Sequence, residues 1–216
     1  MNGRSQHTSR AAAVLAGCRI LLGQEPAAGV CENLLRYLDL LAQWNKAYNL
    51  SAVRDPNEMV ARHLLDSLSV LPWLDSPSLL DAGTGAGLPG VPLAIVRPEL
   101  EVTLLDSAGK KIRFLRHVRR ELGLTNMIPL QSRLESHTPL EPVPCVISRA
   151  FSSLGQYAAA ARHLLGPDSR LLAMKGRYPD EEIACLPGWV HVDRVEKLCV
   201  PGLHEQRHLV MMSLSA

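Results

Sequence analysis

The sequence has no CxxC pair, no long apolar run, no internal repeat, no low-complexity tract and almost no net charge, and each absence removes a class of protein. Its five cysteines, at 18, 31, 145, 185 and 199, form no closely spaced framework. That excludes a disulfide scaffold or zinc module and predicts free or buried thiols in a reducing compartment. No HxxxH or carboxylate spacing suggests a metal site. No apolar stretch approaches the ~20 residues that cross a bilayer, so no membrane span is expected. A formal charge of +2 is too small for a globally basic surface, and any contact with nucleic acid must be a local patch.

What is present suits one sizeable core: 216 residues, 47% of them hydrophobic. The segment RAAAVLAGC (Arg10 to Cys18), behind basic Arg4 and Arg10, has the outline of a lipoprotein cleavage site, but its apolar part, Ala11 to Gly17, is short for that purpose. It reads instead as an amphipathic helix with Val14, Leu15, Cys18, Leu21 and Leu22 on one side, interrupted at Pro26. A second helix runs from about Val30 to Trp44 on Leu34, Leu35, Leu38, Leu41 and Ala42. A third carries Met59, Val60, Leu64, Leu68 and Leu71 and stops at Pro72. Residues 1–72 are therefore expected as a helical cap and 73–216 as an α/β unit. In the latter, strands are predicted at 79–82, 101–105, 126–130, 144–148 and 170–175, and helices at about 90–97, 108–122 and 154–165. That alternation implies βαβ units and a mostly parallel sheet. WVHVDRVEKLCV and HLVMMSL, with no helix between them, predict an antiparallel C-terminal hairpin, with Met211 and Met212 in the core.

Within LLDAGTGAGLPGVPL (79–93), four glycines fall in eight positions after an apolar strand and before a helix-compatible run. Glycine there supplies positive φ and lets the main chain approach a ligand, and the helix start offers free N–H groups. Two cofactor classes fit. Gly85-x-Gly87-x-x-Gly90, with Asp106 about 20 residues on, satisfies the dinucleotide fingerprint. Asp81-x-Gly83-x-Gly85-x-Gly87 equally matches the S-adenosylmethionine turn of class I methyltransferases, with Asp106 again on the ribose. They differ at the phosphate, since a pyrophosphate wants a bare helix N-terminus. The NAD reading, a redox or nucleotide-sensing module, stays open at this point. Further along, QSRLE sets Leu134 and Glu135 where a backbone amide and an acid can flank an adenine, and ISRAF (147–151) ends a strand at the sheet edge where ligands sit. The C-terminal hairpin suits a methyltransferase better than a dinucleotide fold.

WNKAYNLSAVRDPNEMVARHLLDSL, DAGTGAGLPGVPL, LLDSAGKKIRFLRHV, SRLE, VISRAF and MKG, in that order, resemble the ribosomal RNA small subunit methyltransferase G family (glucose-inhibited division protein B). The likeness runs from about Leu21 to the C-terminus. It departs from the family in a polar leader before residue 10 and at Ser51, where threonine is frequent. The resemblance implies a Rossmann-like class I fold, S-adenosyl-L-methionine as cofactor, and methylation of one guanine N7 in 16S rRNA of the small ribosomal subunit or its assembly intermediate, in the decoding region. It also implies that Gly83 and Leu88 hold the methionine portion with the glycine loop (Gly85, Gly87), that Leu134 and Glu135 sit beside the adenine, and that Arg149 reaches into the same pocket. Asp106 as ribose acceptor rests on spacing. A cytoplasmic monomer acting on RNA, not DNA, is expected.

No catalytic base is expected, because guanine N7 carries a lone pair and no proton at neutral pH. Positioning in a dry pocket should supply the rate, with Asp81 or Glu135 as conceivable acceptors near the charged product. GKKIRFLRHVRR (109–120) offers Lys110, Lys111, Arg113, Arg116, Arg119 and Arg120 around Ile112, Leu115 and Val118, as a solvated helix face or as a contact to the RNA backbone. Lys46, Arg54 and Arg62 are candidates for a second RNA-facing patch, with Trp44 expected to seal the cap onto the sheet unit. His63 and His208 read as structural or RNA-contacting.

Overall fold

The computed structural model describes residues 2–215. Helix α1 (Asn2–Leu22) and α2 (Val30–Tyr48) come first, and both long helices end at residues of positive φ, Gly23 and Asn49. Asn126 later in the chain closes another corner, donating from Nδ2 to the carbonyls of Ala94, Arg97 and Leu100. The third helical run differs from an ordinary α-helix. Asp55 caps α3 (Pro56–Met59) by accepting from Asn57 N, Val60–Leu65 is wound as π-helix, and α4 (Asp66–Leu68) returns to α. Residues 63–70 are all buried, so this segment has no solvent face for a 3.6-residue pattern to mark.

Strands β1 (Ser78–Ala82), β2 (Glu101–Asp106), β3 (Met127–Gln131), β4 (Cys145–Ser148), β5 (Arg170–Lys175), β6 (Val190–Lys197) and β7 (His208–Leu214) form one seven-stranded sheet in the order β3-β2-β1-β4-β5-β7-β6. The first five are parallel; β7 runs antiparallel to β5 and to β6. Between them lie α5 (Gly90–Val96), α6 (Gly109–Leu122), α7 (Leu154–Ala161) and α8 (Asp180–Ala184). The sheet, its hairpin and the helices follow the sequence expectation to within a few residues, except for α8 and the distorted third helix.

Alternation along each strand divides the core into two layers. On one face Leu79, Val102, Leu104, Ile147 and Leu172 pack against the N-terminal helices together with α5 and α6. On the other, Leu80, Leu105, Val146, Leu171 and Val210 pack with Leu154, Tyr157, Ala158 and Ala161 of α7. The N-terminal helices thus share a continuous core with the sheet. Val14 and Cys18 of α1 are fully buried in it, as the amphipathic reading requires. A Cβ at Gly17 would lie 2.4 Å from Leu65 Cδ1, so α1 approaches the π-wound segment closely. Trp44 joins α2 to α6, with ring centroids 5.5 Å from Phe114 and 5.4 Å from His117.

All five cysteines are free, Cys18 and Cys145 buried. Among the described residues there is no cluster able to hold a metal, and no helix is long and apolar enough to cross a membrane.

Candidate active site

In the strand order, β1 lies between β2 and β4, so the crossovers diverge there and a crevice opens beyond the carboxyl ends of these strands. The glycine turn occupies that point. Gly83, Gly85 and Gly87 have φ of +69°, +62° and +99°, values that side-chain-bearing residues resist. Gly83 N and Thr84 N donate to Leu105 O at 2.9 and 3.0 Å, fastening the turn to β2. From α2, the buried Tyr37 hydroxyl donates to Ala86 O at 2.9 Å. A Cβ at Gly83 would stand 2.9 Å from Ala150 Cβ, so turn and β4 loop touch.

Asp81 has no exposure, and its Oδ2 accepts from Thr84 Oγ1 at 2.6 Å and Gly90 N at 2.8 Å. Burial pushes its carboxyl up to about 6, against the pull of those two hydrogen bonds. Asp81 is therefore a brace behind the turn and cannot touch an acceptor base, which corrects the role considered for it from sequence. It also caps the start of α5, so the bare helix N-terminus that a pyrophosphate needs is not offered here.

Asp106, 6% exposed at the end of β2, is the centre of the ligand-facing side. Oδ2 accepts from Gly85 N and from Lys111 Nζ, each at 3.0 Å, and Oδ1 accepts from Ala108 N at 2.9 Å. A cleft of about 220 Å³ lies against it, walled also by Gly83, Leu134, Glu135 and Phe151. Leu134 N makes no hydrogen bond among the described residues, leaving a donor beside Glu135. Gly83, Leu134 and Glu135, given by the resemblance, and Asp106, given by spacing, thus line one cleft.

Arg149 stands elsewhere. With Leu50, Ser51, His63, Gly83, Thr84 and Leu88 it lines a second cleft of about 200 Å³, joined to the first across Gly83 and Ala150. Its Nη1 is 2.9 Å from Oδ2 of the buried Asp66, whose Oδ1 receives Arg207 Nε at 3.1 Å. Burial pushes the Asp66 carboxyl up, and the two guanidinium groups pull it back. His63 faces the same cleft, its Nε2 2.7 Å from Ser51 Oγ, which also accepts from Val53 N. Ser51 Oγ and His63 Nε2 share one hydrogen bond, whose donor is set by the imidazole tautomer. Burial first, then the cations Arg149 and Arg62, lower the His63 pKa to about 4 despite its backbone hydrogen bond. His63 is neutral at pH 7. A threonine at 51 would keep that hydroxyl, so the departure from the family at Ser51 leaves this contact available.

The sequence reading missed Tyr37, Asp66 and the Ser51–His63 pair. Each sits in an apolar or unremarkable stretch and is brought to the site only by tertiary packing. His208 lies outside both clefts, its Nδ1 3.2 Å from Gly176 O.

The basic candidates separate by partner. Lys111 lines the cleft and pairs with Asp106. Lys110 Nζ donates to Tyr48 O, Arg119 Nε to Leu124 O, and Arg120 pairs with Glu121. Arg113 and Arg116, both exposed on α6, make no such contact among the described residues. Arg62 is compensated by Glu205 and Glu58. Lys46 and Arg54 line a separate recess of about 430 Å³ with Asn45 and Asn49.

The model of the family described as rRNA small subunit methyltransferase G matches residues 30–210. A ribosomal RNA small subunit methyltransferase G of Escherichia fergusonii is 54% identical over 179 residues, 83% of this chain and 86% of its own. Its namesake in Salmonella paratyphi B is 53% identical over the same shares. Among solved structures, a SAM-dependent methyltransferase from Aquifex aeolicus aligns with a TM-score of 0.53 at 21% identity, covering 74% of this chain and 94% of that one. TrmN from Thermus thermophilus aligns at 0.56 and 18%, covering 72% and 53%. These two likenesses agree with the fold, and the close relatives support the methyltransferase reading over the dinucleotide one. With 53–54% identity over most of both chains and a family model spanning most of the sequence, this chain belongs to the rRNA small subunit methyltransferase G family.

Proposed function

We propose that the protein binds S-adenosyl-L-methionine in the paired clefts and methylates N7 of one guanine in the decoding region of 16S rRNA, on the small subunit or its assembly intermediate. The observation that carries the cofactor assignment is the turn of three positive-φ glycines hydrogen-bonded through Gly85 N to Asp106, beside clefts of about 220 and 200 Å³. Together these clefts exceed the ~300 Å³ at which small-ligand sites begin. Asp106 would hold the ribose, Leu134 and Glu135 the adenine edge, and Gly83, Gly85, Gly87, Leu88 and Arg149 the methionine portion. The residues present fit the group: an acceptor for a diol, a free amide for a ring nitrogen, a cation for a carboxylate.

When bound, the cofactor supplies a methyl on a positively charged sulfur. The chain's own contribution is position and exclusion of water. N7 has no proton to remove; His63, lowered to about 4, stays neutral beside the cleft, and Asp81 is sealed behind the turn. Binding geometry is then the source of rate. Arg113 and Arg116 on α6, with Lys46 and Arg54, would meet RNA phosphates. We place the reaction in the cytoplasm, where ribosomal RNA is assembled, and read the protein as a monomer with a helical region at 1–72 and a cofactor-binding region at 73–216.

Titration of the purified protein with S-adenosylmethionine and with NADH separates the cofactor classes. Saturable binding of the first alone is expected; binding of NADH alone would overturn the assignment.

A further inference from the structure

The MKG sequence ends β5 at Lys175, and nothing in the cofactor clefts uses it. Its Nζ, on a side chain only 13% exposed, lies 2.7 Å from Glu182 Oε2 on α8. The same Glu182 oxygen accepts from Leu154 N at 2.7 Å, at the start of α7. Lys175 Nζ also reaches the carbonyls of Phe151 and Ser152, at 3.5 and 3.3 Å. The couple therefore grips residues 149–153, the loop from β4 to α7 that carries Arg149, Ala150 and Phe151 along both clefts. At its other end the loop is held by Asp66 on Arg149, and by Ser148 Oγ, which donates to Ala82 O and accepts from Ala150 N.

The grip has a directional consequence. In a trans peptide the C=O and the following N–H point oppositely. Drawing the Phe151 and Ser152 carbonyls toward Lys175 turns the Ser152 and Ser153 N–H groups away from it. Neither has a hydrogen-bond acceptor among the described residues. The loop thus keeps its Phe151 and Ser152 carbonyls on the Lys175 side and two unengaged N–H donors on the other.

We propose that Lys175, held by Glu182, is a positioning residue for methyl transfer, fixing the 149–153 loop against which the target nucleotide seats. It acts through the loop and touches neither substrate nor cofactor. The inference rests on the rRNA reading above.

The test compares Lys175→Met, Lys175→Arg and Glu182→Gln with the unaltered protein in single-turnover methylation of unmethylated small-subunit particles at saturating cofactor, alongside cofactor affinity and thermal unfolding. A misplacement of this kind costs of order 10–100-fold in rate. Lys175→Met should lose that much while cofactor affinity stays within about 3-fold, a split that marks an effect on the reacting geometry. Lys175→Arg, which keeps the cation, should recover most of the rate. If Lys175→Met does not fold, Glu182→Gln decides by the same split. The proposal is overturned if the rate is unchanged, if rate and cofactor affinity fall together, or if arginine is as poor as methionine. An unaltered protein silent on the particles would instead sink the rRNA reading itself.

Discussion

Gly85 and Gly90 lie five residues apart in the same turn and answer to different constraints. At Gly85 the backbone has φ +62°, yet an added Cβ would come no closer than 3.9 Å to anything, the nearest atom being Gly83 O. At Gly90 φ is unexceptional, but a Cβ would be 2.2 Å from Leu104 Cδ2 and 2.8 Å from Asp81 Oδ2. Gly85→Val should therefore lose about 1–3 kcal/mol of stability through backbone strain and still fold. Its branched side chain would project into the space meant for the cofactor and abolish binding. Gly90→Ala should instead act mainly on stability, by overpacking of about 1–3 kcal/mol. Calorimetric titration beside thermal unfolding separates the two; unchanged cofactor affinity in a folded Gly85→Val protein would show that the loop does not cradle the ligand. His63 provides a pH-dependent check. Its folded pKa of about 4 lies below the unfolded value near 6.5, so its contribution is whole above pH 6.5 and is lost as pH falls through 4. Asp81, raised to about 6, works in reverse, its contribution present below about 4 and lost as pH rises through 6. The stability that the protein loses on acidification from pH 6.5 to 4 should shrink in His63→Gln. Equal loss in both proteins, by denaturant unfolding at several pH values, would contradict the burial argument.

At the level of elements, legibility followed regularity. Strands β1, β4 and β5 were readable because both their faces are buried, giving continuous apolar runs between glycine and polar punctuation. The helices α2 and α6 were readable because each buries one stripe, whereas α5, buried from Gly90 through Ile95, was readable as an apolar run following the glycine turn. The run from Pro56 to Leu68 was readable as helical but not as π-wound, since burial on all sides erases the periodic signal. Helix α8, five residues with no buried position, left no apolar pattern at all, and with it went the role of Glu182. In the site, the glycines and Asp106 were legible because backbone geometry and adenosine chemistry restrict the residue types. Arg149 was legible only through family resemblance, and its partner Asp66 is a single acid in an apolar run. Helix α6 carries the element-scale prediction. Its charge run read as six equivalent cations; the partners single out Arg113 and Arg116. Reversing both to glutamate should weaken RNA binding and lower the slope of log affinity against log salt by roughly 1–2, about 0.7–0.9 per lost phosphate contact. Cofactor affinity should hold, because neither residue lines a cleft. An unchanged salt slope would mean that this face is only solvated.

Across the whole molecule, the N-terminal helices and the sheet cooperate at one point. Tyr37 and Asp66 reach from the helices to the glycine turn and to Arg149, so the helical region supports the walls of the cleft as well as covering the sheet. This arrangement uses Asp81, Asp66 and Asp106 to hold loops in place. Such a site suits a nucleophile that already carries its lone pair. The methylation step should accordingly be flat with pH through the neutral range, in contrast to an enzyme that depends on a titrating side chain. The most direct test is single-turnover transfer of a labelled methyl from S-adenosylmethionine to unmethylated small-subunit particles, followed from acid to mildly basic pH, with the modified nucleotide mapped in the 16S rRNA. The account predicts one methyl per particle, on N7 of a single guanine in the decoding region, at a rate without a limb near pH 7. Transfer to another atom or another RNA, or a bell-shaped profile centred near neutrality, would contradict it.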